Sequence, residues 1–182
     1  MSRQKRAEHA PSLVSGDKPS DQIEALISDL KCKDVFQCRH ARRELVLIGE
    51  QAVPYLTDTL AHRKGWIRWE AAKALGEIPG SSATAALVSA LEDKNFDVRW
   101  LAAEGLIRRG RDAMPLLLRA LIENSESAFL REGVHHVLHD NEDKTVRELS
   151  RPLLASLEDV DSSVTVPPLA RSLLEAIHRE RA

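Results

Sequence analysis

The chain has 182 residues, 43% hydrophobic and 30% charged, with a formal net charge of −2. This is a globular composition that can bury one core. The near-neutral charge excludes a global basic field for duplex nucleic acid, and Cys32 and Cys38 are too few for a disulfide framework. No apolar run has signal-peptide or membrane-spanning length, so the expectation is a cytoplasmic, reducing environment with no membrane partner.

Residues 1–20 are polar, with Pro, Ser and Gly, and predict a disordered tail. The rest, 21–182, reads as helices in pairs. Leu26 and Leu30 open the first pair, and "CRHARRELVLIG" supplies its second helix. "VPYLTDTL" (Pro54, Leu56, Leu60) is followed by Ile67–Leu75, "IRWEAAKAL". "TAALVSAL" (Ala85, Leu87, Leu91) is followed by Val98–Leu106, "VRWLAAEGL", which repeats the earlier nonapeptide 31 residues on. "MPLLLRAL" (Pro115, Leu117, Leu121) is followed by "LREGVHHVL", and a looser copy, "VPPLARSLL", closes the series. The second helices share one register. Ala41, Ala71, Ala102, Val134 and Ala170 are its anchors, and Leu45, Leu75, Leu106, Leu138 and Leu174 stand four residues after them.

Apolar residues at three and four spacing, without an alternating Val/Ile run, predict helix and no strand. Proline fits the first turn of a helix, where its missing N–H has no partner to lose. Breakers fall at Gly49, Gly65, Pro79-Gly80, Gly110 and Asn124-Ser125. Each unit is then a helical hairpin that cannot bury its stripe alone and must stack on its neighbours. The expected class is all-α: a solenoid of about five hairpins, approximately 21–50, 51–80, 81–110, 111–141 and 142–182.

"IRWEAAKALGEIPG", "DVRWLAAEGLIRRG", "ALVSALEDKNFD" and "CRHARRELVLIG" together resemble HEAT repeats, of the short phycobilisome-lyase type. The resemblance covers residues 21–140 well and the remainder weakly. It implies a right-handed solenoid with second helices on a concave face, and an arginine at positions 68 and 99 that bridges neighbouring repeats.

At ~100° per residue, Val98, Ala102, Gly105 and Leu106 face the core, and Trp100, Glu104 and Ile107 face away. The same outward slots hold Arg39, Arg43 and Val46; Trp69, Lys73 and Gly76; Glu132, His136 and His139; and Pro168, Ser172 and Glu175. Trp69 and Trp100 should therefore stack on the exposed face. That face grades from basic through aromatic to acidic. Aromatic anchors flanked by charge suit a protein or peptide segment. The candidate partner-binding residues are Arg39, Arg43, Trp69, Lys73, Trp100, Glu104, Glu132 and His136.

Chemistry has few footholds. Glu132, His136 and His139 recur at i, i+4, i+7 and form a weak metal candidate that needs further ligands. Deoxyhypusine hydroxylases of this fold hold di-iron through His-Glu dipeptides. The equivalent slots here read Arg39-His40, Trp69-Glu70, Trp100-Leu101 and Glu132-Gly133, so the ligands are missing. HEAT-like DNA glycosylases use a basic groove, which Glu70, Glu77, Glu104 and Glu132 weaken here. No phosphate loop or nucleophile elbow occurs. The reading is a non-enzymatic interaction module without cofactor, monomeric on its own. One alternative is a bilin-lyase-type accessory protein handling a tetrapyrrole or metal. Another is a structural subunit buried along its first helices, through residues such as Val88 and Leu118.

Overall fold

A computed structural model describes residues 19–159 and 162–180. The described residues form ten α-helices: α1 (Pro19–Leu30), α2 (Val35–Ile48), α3 (Val53–Thr59), α4 (Gly65–Glu77), α5 (Ser81–Ala90), α6 (Phe96–Arg109), α7 (Met114–Glu123), α8 (Ala128–His139), α9 (Lys144–Leu157) and α10 (Ser162–Arg179). Single 3-10 turns, Gly49–Ala52 and Gly110–Ala113, lead into α3 and α7. The predicted tail lies outside the described residues except for positions 19 and 20, which start α1.

The fold is an α-solenoid of helical hairpins. In the first four hairpins α1, α3, α5 and α7 pack in one row, and α2, α4, α6 and α8 in a second. The core lies between the rows. Leu45, Leu75, Leu106 and Leu138 are all fully buried, and each contributes about 1.5–3 kcal/mol relative to exposure. Val98, Ala102 and Leu106 face inward as their spacing requires.

Turn chemistry is visible at each junction. Pro54 and Pro115 occupy the first turns of α3 and α7. Gly49, Gly80 and Gly110 adopt positive φ values of 73°, 110° and 53°, which side chains other than glycine's reach only with strain. Gly65 differs from its expected role as a breaker. It is the first residue of α4, and a Cβ there would meet Asn95 Nδ2 at 2.8 Å.

Two expectations are corrected. Val88 and Leu118 are core residues, 7% and 0% exposed, so they present no outer apolar surface. The last hairpin also exchanges rows. Its first helix, α9, packs on α8, whereas α10 packs on α7 and on α9. Val166, Ala170, Leu173 and Ile177 form the buried stripe of α10. Pro168, Ser172 and Glu175 therefore belong to the first-helix row, not to the face carrying Trp100.

Candidate functional site

The second-row helices run parallel, and their two ends behave differently. At the C-terminal ends Arg109 donates to the carbonyls of Leu75 (2.8 Å) and Ile78 (2.5 Å), which end α4. Burial, and then the charge of Arg108, lower the Arg109 pKa from its ordinary value. Beside it α4 and α6 meet through glycine: a Cβ on Gly105 would lie 2.9 Å from Leu87 Cδ1 and 3.1 Å from Gly76 Cα.

At the N-terminal ends of α4, α6 and α8 an arginine recurs three residues before the anchor, where α2 has Cys38. Arg68, Arg99 and Arg131 donate to the carbonyls of His62 (2.9 Å), Asp93 (3.0 Å) and Ser125 (2.7 Å), tying each helix to its own hairpin tip. Arg68 also grips Asp93 of the next repeat through two bonds of 2.6 and 2.7 Å. Burial opposes the Asp93 carboxylate, but the bonds from Arg68 and from the Asn95 N–H hold its pKa below the ordinary range. Arg99 reaches Glu132 at 3.3 Å, and Arg42 pairs with Glu70. The expected bridging thus holds for Arg68 and Arg99. Arg131 serves its own tip.

Those same N-terminal ends put aromatic rings into solvent. Phe36 is 84% exposed, Phe96 58%, Phe129 43% and Trp66 38%. They are contributed in turn by α2, α6, α8 and α4. Trp100, one turn beyond Phe96, is 45% exposed. Phe36, Trp66 and Phe129 stand five residues before their anchors and Phe96 six before its own. Arg99 lies over Phe129 at 4.1 Å and Phe96 at 5.6 Å, linking adjacent rings. A hollow of about 240 Å³ between α6 and α8 is lined by Phe96, Trp100, Glu132 and His136. That is below the ~300–1,000 Å³ of pockets that enclose small-molecule ligands, and it suits an inserted side chain.

The eight predicted partner-binding residues are distributed as follows. Arg39 and Arg43 are exposed on α2. Trp69 is half-buried against the core, with the Lys73 ammonium 4.6 Å above its ring. Trp100 is exposed and neighbours His136, with ring centroids 6.5 Å apart, rather than Trp69. His136 Nε2 lies 3.6 Å from Glu104 and 3.3 Å from Asp140. Glu132 turns to Arg99, and His139 Nδ1 meets Asp140 at 2.6 Å. The carboxylate of Asp140 is held below its usual pKa, first by that bond to His139. Glu132 thus turns away to Arg99, while His136 and His139 share Asp140. Among the described residues no three His, Cys, Asp or Glu side chains are grouped to hold a metal ion.

Cys32 and Cys38 line a hollow of about 330 Å³ between α2 and α4, with Lys33, Val35, Trp66 and Glu70. Burial, then Glu70, pushes the Cys38 thiol up to about 12, so it stays protonated at neutral pH and is no nucleophile.

Residues 23–107 match the family model of HEAT repeats. The matched stretch runs from α1 to the end of α6 and contains the Arg68–Asp93 bridge and both copies of the nonapeptide. No curated protein matches the chain. Among solved structures the chain is similar to an engineered protein known from a crystal structure, at 19% identity and a TM-score of 0.40, covering 86% of this chain and 79% of that one. HEAT repeats generally mediate protein–protein interaction or scaffolding. Among the described residues no helix is long and apolar enough to cross a membrane.

Proposed function

We propose that this protein is a non-enzymatic interaction module that binds a partner protein along the second-row helices, the expected concave face. One observation carries the reading: exposed Phe36, Trp66, Phe96, Trp100 and Phe129 stand on four successive helices. Burying such rings is a large favourable term. Leaving them in solvent on a rigid repeat scaffold marks a surface kept for a partner. A preformed surface also loses little entropy on binding. The centre of the site is the hollow of Phe96, Trp100, Glu132 and His136, with Arg99 holding Phe129 beside it.

The test is affinity capture from native lysate by wild type and by a Phe96→Ser/Trp100→Ala variant of equal helicity. The captured protein is then purified, and its affinity is measured with hydrogen exchange of the complex. The double substitution is expected to weaken binding by about 2 kcal/mol or more, as at interface anchors, with protection concentrated over residues 96–100 and 129–136. Undiminished affinity, or protection confined to the first-helix row, would overturn the reading.

A further inference from the structure

The two hairpin tips that precede Phe36 and Trp66 are basic. Lys31 and Lys33 lie at the first tip, Arg63 and Lys64 at the second, and Lys94 at the third; all five are exposed. None of them forms an ion pair among the described residues. Of the nearby carboxylates, Asp34 caps α2 through the Phe36 and Gln37 N–H groups, and Asp93 is clamped by Arg68. At the second tip desolvation and then the charges of Lys31, Lys64 and Arg63 hold the His62 imidazole below its ordinary pKa. The positive field thus belongs to the first two tips, although the whole chain carries −2; at the third, Lys94 stands among Glu92, Asp93 and Asp97. Beside it opens the hollow of about 330 Å³, where Cys32, Val35, Cys38 and Trp66 form the apolar wall and Lys33, Asp34 and Glu70 the polar rim.

We infer that the occupant of this edge is an acidic segment of a partner protein bearing a bulky apolar side chain. Its carboxylates face Lys33, Arg63 and Lys64, and its apolar side chain fills the hollow between α2 and α4. This rests on the interaction reading above and adds the chemistry of the partner. Charge complementarity selects the acid, and Trp66 and Val35 select the apolar anchor. Single-stranded nucleic acid fits less well. The rings stand on separate helices, some 8–10 Å apart by helix packing. A phosphate chain continuing along the edge would also meet Glu132 and Glu104, whereas an acidic peptide can end before them.

The experiment selects random peptides displayed on phage against the full chain. Enriched sequences should be acidic with at least one Leu, Phe or Trp. A fluorescein-labelled copy should bind wild type with an affinity that falls as salt rises. Lys33→Glu/Arg63→Glu/Lys64→Glu should weaken it by about tenfold, and the neutral Lys33→Gln/Arg63→Gln/Lys64→Gln set should fall between. The helical circular dichroism of both variants should match wild type. Enriched peptides without acidic bias that still lose binding in Phe96→Ser/Trp100→Ala overturn the acidic assignment and leave the interaction reading standing. No enrichment overturns both. Equal binding of the acidic peptide by the charge-reversed variant, or tighter binding of oligothymidylate, also overturns the inference.

Discussion

The two ends of the second-row helices contrast sharply although they belong to the same repeats. At the C-terminal end Gly76 and Gly105 bring α4 and α6 into close approach, and Arg109 satisfies the terminal carbonyls of α4. At the N-terminal end α4, α6 and α8 are each pinned by an arginine, while Phe or Trp projects above it. Stability is drawn from the closed end and from the buried Arg68. The exposed rings contribute little to it. Three substitutions of decreasing expected effect test this division.

The largest effect belongs to Arg68→Ala. Arg68 and Asp93 side chains are only 5% and 9% exposed, and removing one member of a buried pair costs about 3–5 kcal/mol because the other charge is left unmatched. Two-state urea unfolding of the variant against wild type measures this. The loss should be pH-dependent. Because Asp93 has a depressed pKa in the folded protein, the pair's contribution is fully present above the ordinary carboxylate pKa of ~3.9 and disappears as pH falls through the folded value. The gap between wild type and variant should therefore be full at neutral pH and narrow in strong acid. A gap that does not change with pH would separate the Arg68 effect from the Asp93 charge.

Next comes Gly105→Ala. In an isolated helix alanine would stabilise by about 1 kcal/mol. Here its methyl carbon meets Gly76 Cα at 3.1 Å and Leu87 Cδ1 at 2.9 Å. Backbone cannot move aside as a side chain can, so overpacking outweighs propensity and the net loss should be about 1–3 kcal/mol. Gly133→Ala is the matched comparison, because its three nearest neighbours are side-chain atoms of Leu91. It should cost less. Equal losses in urea unfolding would show that the α4–α6 approach is not specially tight.

Much of this was legible because the repeat supplies its own alignment. Leu45, Leu75, Leu106 and Leu138 could be placed in the core, and Trp100 outside it, from period alone. The aromatic edge has no angular signal. Phe36, Trp66, Phe96 and Phe129 lie in first turns, where the core stripe has barely begun and angle says little about exposure. Their common offset from Ala41, Ala71 and Val134 was nevertheless readable. Trp69 was placed outside by the same angle as Trp100 but is half-buried, since packing against neighbours lies beyond any single-helix projection. The exchange of rows by α9 and α10 had no local signal. Both helices carry one apolar stripe, and which row each enters depends on the surface left by α7 and α8.

The smallest expected effect is the most informative about the open end. Phe36 is 84% exposed and no ring or cation lies on it among the described residues. Phe129, by contrast, carries the Arg99 guanidinium at 4.1 Å, a contact worth about 0.5–1 kcal/mol at an exposed site. Phe36→Ser should then change unfolding free energy by less than ~0.5 kcal/mol, and Phe129→Ser by the larger of the two amounts. A loss of several times that at Phe36 would mean the ring packs against its neighbours in solution. The rings would then belong to the fold, and the contrast between the two ends would fail at its most exposed position. With the small loss, Phe36 has no role in holding α2 in place, and its solvent-facing position has to be explained by what it meets outside the chain.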